Sequence, residues 1–173
     1  MAITAFVVLS TSIISKAENN KTICLEVAGI AVDQNNKPID GVQVRLLKQN
    51  DELEWTEITS VEYHEHSFLF KLEPNEYYTI EVSKDGFVKR SVGISTVIPA
   101  DISLKQVFRY EFEVEMFKQK ENTDDYYLDF PVALISYDKK RDVFDCSTSY
   151  TKHIKNMIRK STGIESCNVI TEN

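Results

Sequence analysis

Phe108-Arg109-Tyr110-Glu111-Phe112-Glu113-Val114-Glu115-Met116 exchanges apolar and charged residues at every step. A period of two sends successive side chains to opposite faces of an extended chain, so this stretch reads as a β-strand with one face in a core and one in water. Toward the N-terminus the same period recurs in short runs. Val42, Val44 and Leu46 alternate with Gln43 and Arg45 in 39–47, Phe68, Phe70 and Leu72 share one side of 67–72, and Tyr78, Ile80 and Val82 share one side of 77–84. Further extended runs occupy 24–32, 53–60 and 87–98. Asp33-Gln34-Asn35-Asn36-Lys37-Pro38, Glu73-Pro74-Asn75-Glu76 and Asp85-Gly86 separate them, and these residue types favour turns. Seven strands at this spacing, with no helix among them, predict an all-β, mostly antiparallel, seven-stranded Greek-key sandwich over 24–117. Its core is expected to hold Val42, Val44, Phe68, Phe70, Tyr78, Ile80 and Val82, together with Phe108, Tyr110, Phe112 and Val114 of the opening stretch.

Beyond Phe117 the pattern changes. Lys118–Asp125 is a charged loop, and 126–130, 132–137 and Val143-Phe144 are short extended pieces around Pro131. Tyr150, Ile154, Met157 and Ile158 then fall at i, i+4, i+7 and i+8, the stripe of an amphipathic helix expected over about 149–161. Ser147 or Thr148 suits its N-cap and Gly163 its end, so 118–173 is expected as a C-terminal extension carrying a short helix.

The chain has 173 residues, enough for one core plus a tail. Its 27 acidic and 20 basic residues give a net charge of −7, which disfavours nucleic acid as a partner. Ala2–Ile14 is an uncharged apolar run followed by Ser15-Lys16-Ala17, so 1–17 is expected to be a signal peptide cleaved after Ala17. Export to the periplasm, the outer membrane surface or the medium would follow. No later run approaches the ~20 apolar residues of a spanning helix, so no transmembrane span is expected. Cys24, Cys146 and Cys167 cannot all pair within one chain; a Cys146–Cys167 bridge and three free thiols both fit the spacing.

Three segments together resemble the carboxypeptidase regulatory-like domain. They are Val27–Val32 followed by Lys37-Pro38-Ile39-Asp40-Gly41-Val42-Gln43-Val44, then Phe68–Pro74, then Tyr77–Phe87. The resemblance covers roughly 24–97. It implies a prealbumin-like (transthyretin-type, Ig-like) sandwich, here as a stand-alone exported bacterial member that serves as an accessory module rather than a catalyst. Ser67 and Asn75 stand where the family usually has glycine, and asparagine tolerates a positive φ better than most residues.

His64 and His66, at i and i+2 with Glu62 nearby, point the same way on a strand, as a metal chelate requires, although a polar turn is the commoner use of such residues. Trp55, Tyr63, Tyr126 and Tyr127 are candidates for a stacking platform, with core packing as the commoner use. Lys152, Lys155, Arg159 and Lys160 are candidates to meet anionic lipid or an acidic partner, with complementing the helix dipole and the acidic sandwich as the commoner use. No nucleophile elbow or glycine-rich phosphate loop occurs, and no cofactor is expected. The function expected is a non-catalytic binding or scaffold module of the cell envelope, taking an envelope protein, peptide or glycan. The alternative is a small hydrolase or metal-dependent enzyme on the same sandwich. A protein partner is expected on the last strand, at Arg109, Glu111, Glu113 and Glu115, or on the adjacent 118–125 loop.

Overall fold

A computed structural model describes residues 22–63, 67–102, 106–119, 128–162 and 169–170. Seven strands occupy the first part of the chain: β1 (Leu25–Val32), β2 (Val42–Gln49), β3 (Trp55–Tyr63), β4 (Phe68–Leu72), β5 (Tyr77–Ser83), β6 (Arg90–Ser95) and β7 (Phe108–Glu115). They are followed by β8 (Ala133–Asp138), β9 (Val143–Cys146), the helix α1 (Thr148–Thr162) and β10 (Val169–Ile170). The described residues therefore carry ten strands rather than the seven expected. Of the additional three, β8 and β9 fall on the short extended pieces expected at 132–137 and Val143-Phe144, while β10 has two residues, too few for a period of two to stand out.

The strands form two sheets, ordered β10-β7-β1-β4 and β3-β2-β5-β6-β8-β9. Pairing is antiparallel except between β1 and β7 and between β6 and β8. One core lies between the sheets. It takes Leu25 and Val27 from β1, Phe70 and Leu72 from β4, Tyr110 and Phe112 from β7, and Val44, Ile80 and Val92 from the facing sheet. Of the predicted core residues only Phe108 is half-buried; its ring meets Tyr137 and Phe144 edge-on at centroid distances of 5.8 and 5.4 Å. Such edge-to-face pairs fix the end of the core where β7 approaches β8 and β9. The helix joins β9 to β10, the terminal strands of the two sheets on one side, and buries Ile154 and Ile158 in the same core.

Local chemistry explains the turns. The Asp33 carboxylate accepts the amides of Asn35 and Lys37 at 2.8 and 2.9 Å, closing the loop from β1 to β2. Asn75 adopts φ +63°, the left-handed conformation anticipated for the residue standing in a glycine place. Among the described residues, no helix is long and apolar enough to cross a membrane.

Candidate functional site

The outer face of the four-stranded sheet is built in rows across β4, β1 and β7. Lys71, Glu26 and Arg109 form one row, and Leu69, Ala28 and Glu111 the next. Ile30 faces Glu113 in the third, with Ser67 just before β4. Because Ala28 is the smallest side chain in its row, the face is hollowed there. A depression of about 350 Å³ results, lined by Ala28, Ile30, Ser67, Arg109, Glu111 and Glu113. A larger hollow of about 510 Å³ lies beside Gly41, Gln43 and Lys84, but its lining is a polar turn surface.

The charges around the depression are unequally satisfied. Arg109 Nε donates to Glu111 Oε1 at 2.8 Å, and Lys71 Nζ lies 3.3 Å from Glu26 Oε1. Glu113 pairs with no cation among the described residues. The site thus combines an apolar floor with a carboxylate open to a cationic group. An aliphatic stem can lie along Ala28 and Ile30 while its charged end reaches Glu113, which is how long basic side chains bind partly apolar surfaces.

The four residues expected on this strand are thus divided. Arg109, Glu111 and Glu113 come together at the depression, whereas Glu115 is a correction: expected outward, it is only 3% exposed. Its ladder partner Val32 and the following Met116 and Phe117 are buried as well. The end of the outer face is covered, so alternation there no longer separates inside from outside. The expected free edge also changes, since β7 lies between β1 and β10, with Val169 opposite Val114 and Ile170 opposite Glu113. His64 and His66, Tyr126 and Tyr127, and 120–125 of the loop lie outside the described residues. Cys146 Sγ lies 3.1 Å from Thr151 Oγ1, and Cys167 lies outside the described residues.

Two groups elsewhere are held in their protonated forms. Burial pushes the Cys24 thiol up to about 11, which keeps it protonated and poorly nucleophilic at neutral pH. Tyr137 is pushed up to about 12, chiefly because its hydroxyl donates to Asp142. Sequence reasoning missed the buried Arg90, whose guanidinium lies 5.1 Å from the Phe117 ring centroid. Its shared parity with Val92 and Ile94 was the available signal, since all three face the core from one side of β6.

No protein-family model matches this sequence, and no curated protein matches it. Solved structures do match. Sea bream transthyretin in complex with thyroxine aligns at a TM-score of 0.40 and 12% identity, over 54% of this chain and 88% of that one. Transthyretin from Sparus aurata aligns at 0.40 and 12%, over 53% and 88%. The 3-chlorocatechol 1,2-dioxygenase from Rhodococcus opacus 1CP aligns at 0.40 and 9%, over 58% of this chain, which spans 62% of the dioxygenase chain.

Proposed function

We propose that this chain is a non-catalytic binding module of the cell envelope, exported by its N-terminal apolar run, that holds a partner protein or peptide through a basic side chain. The finer classification within this proposal is a carboxypeptidase regulatory-like domain. Its prealbumin-like Greek-key core is β1–β7, and the extension of 118–173 completes both sheets. The sequence pattern of 24–97 supports that classification.

The observation that carries the binding reading is the depression beside Glu113. An apolar floor next to a carboxylate that pairs with no cation among the described residues selects a lysine or arginine side chain over a neutral or acidic one. The exposed Arg109–Glu111 pair lines the same depression and puts a second carboxylate at its rim.

Capture from an envelope extract tests this reading. The immobilised wild-type chain should retain a discrete partner, and Glu111→Lys/Glu113→Lys should lose it with an unchanged circular dichroism spectrum. Undiminished capture by the folded variant removes this surface. N-terminal sequencing of the native protein tests export separately: Ala17 should be the last residue removed, and recovery from the cytosol with Met1 or Ala2 intact contradicts it.

A further inference from the structure

We propose that β3 is a docking edge for an extended cationic segment of another protein, which adds to the six-stranded sheet as a seventh strand. This surface lies on the other sheet from the depression and stands independently of that site.

β3 is the terminal strand of its sheet and pairs only with β2 among the described residues. A terminal strand turns alternate N–H and C=O groups outward, where a partner strand can take them up. Every described side chain from Trp55 to Val61 is exposed, so β3 overhangs the core with both faces in water. Eleven large apolar side chains are exposed among the described residues, and four of them fall within 53–61: Leu53 at 74%, Trp55 at 47%, Ile58 at 53% and Val61 at 37%. Scattered singly they would be ordinary surface; concentrated on an unpaired edge, they form a contact surface. Leu53 also holds φ +64°, a conformation costly for a branched side chain, at the turn that feeds this strand.

Charge identifies the occupant. Between Asp51 and Tyr63 the chain has five acidic residues, Asp51, Glu52, Glu54, Glu57 and Glu62, and no lysine or arginine. Glu57 shares Arg45 at 3.5 Å, whereas Glu52 and Glu54 pair with no cation among the described residues. A second copy of this chain would set acid against acid across the new ladder, which is unfavourable. An incoming strand that alternates lysine or arginine with β-branched residues satisfies the backbone, the carboxylates and the apolar side chains together. A bulge interrupts the β2–β3 ladder between Leu46 and Leu47 and leaves Ile58 outside the register. Such bulges twist an edge and discourage indiscriminate pairing, which leaves charge to select the partner.

A capped synthetic peptide alternating lysine and valine is the probe, and Trp55, the single tryptophan, is the reporter. Titration should shift Trp55 emission to the blue in a saturable way and slow hydrogen exchange at β3 amides. Glu54→Lys/Glu57→Lys should weaken binding roughly tenfold or more. Glu111→Lys/Glu113→Lys should leave the Trp55 titration and the β3 exchange protection unchanged, so failure here and failure of the depression are read separately. Three results overturn the proposal: no emission shift at millimolar peptide, binding lost only in the β7 variant, or a peptide-free dimer by sedimentation with β3 amides already protected. The last would make a second copy the occupant.

Discussion

Gly29 lies directly beneath the ring of Phe68: a Cβ built on Gly29 would stand 2.2 Å from Phe68 Cζ. Phe68 and Phe112 are the ladder neighbours of Gly29 on β4 and β7, and their rings meet at 5.9 Å and 72° in the space that a side chain would take. The place of the missing side chain on β1 is thus taken by the Phe68 ring, which Phe112 meets edge-on. Gly29→Ala should cost about 1–3 kcal/mol, the usual penalty for overpacking a filled core. Adding Phe68→Leu should recover part of that loss in a double-mutant cycle measured by urea unfolding. A strictly additive pair would mean that Phe68 is not what the new methyl meets.

Tyr110 has a buried hydroxyl with no hydrogen-bond partner among the described residues. The Cys146 amide, which donates to Asp145 Oδ1 at 2.6 Å, approaches that hydroxyl without a well-formed hydrogen bond. Burial raises the phenol well above its ordinary value, so it stays neutral throughout the working range. Removing an unsatisfied buried polar atom leaves stability unchanged or improves it by about 1 kcal/mol, so Tyr110→Phe should keep or raise the urea midpoint. A drop beyond about 1 kcal/mol would reveal a hydrogen bond that the hydroxyl makes.

Cys24 yields a pH dependence. Its folded pKa, raised by burial from 9.0 to about 11, favours the protonated thiol in the fold. A group raised on folding contributes stability that is intact below its unfolded pKa and is lost as pH rises through its folded one. Wild type should therefore lose roughly 2 kcal/mol more than Cys24→Ala between about pH 9 and 11, measured by denaturant unfolding at each pH. In the native state at pH 8 a thiol reagent should leave Cys24 unmodified, and rapid labelling there would contradict its burial.

Leu53 spends conformational energy at φ +64° while its side chain is largely in water. Glycine takes that conformation without the steric cost, so Leu53→Gly should stabilise the fold by about 1 kcal/mol. If β3 docks a strand, the same change should weaken peptide binding. A rise in thermal midpoint accompanied by weaker binding separates the two roles of this side chain.

What was legible in the sequence follows the reach of periodicity. Alternation marks β2, β4, β5 and β7 because each keeps one face in the core, and the stripe of Tyr150, Ile154 and Ile158 marks α1 for the same reason, whereas β3, exposed on both faces, and β6, buried along its length, are marked by their spacing between turns. The short extended pieces at 132–137 and Val143-Phe144 are β8 and β9, whereas β10 escapes because two residues carry no alternation; what the sequence does not show is that β8 joins its sheet by parallel pairing to a strand far back in the chain. At the candidate site the residue types on β7 were legible, but the depression was not. It exists because register places Ala28 between Leu69 and Glu111, a relation among three strands that no single stretch contains. Glu115 was misread for a related reason, since alternation assigns a face and says nothing about what covers that face. Trp55 shows the converse. A lone tryptophan suggests a core, yet β3 overhangs it.

The most direct test of the account is a nuclear magnetic resonance titration of the isotopically labelled chain with a capped Ala-Arg-Ala peptide, too short to add as a strand. Binding of a basic side chain at the depression predicts saturable shifts confined to the amides of Ala28, Ile30, Glu111 and Glu113 and their neighbours, abolished by Glu113→Gln in a folded protein. Shifts that persist in Glu113→Gln, that centre on another surface, or that are absent at millimolar peptide would contradict it.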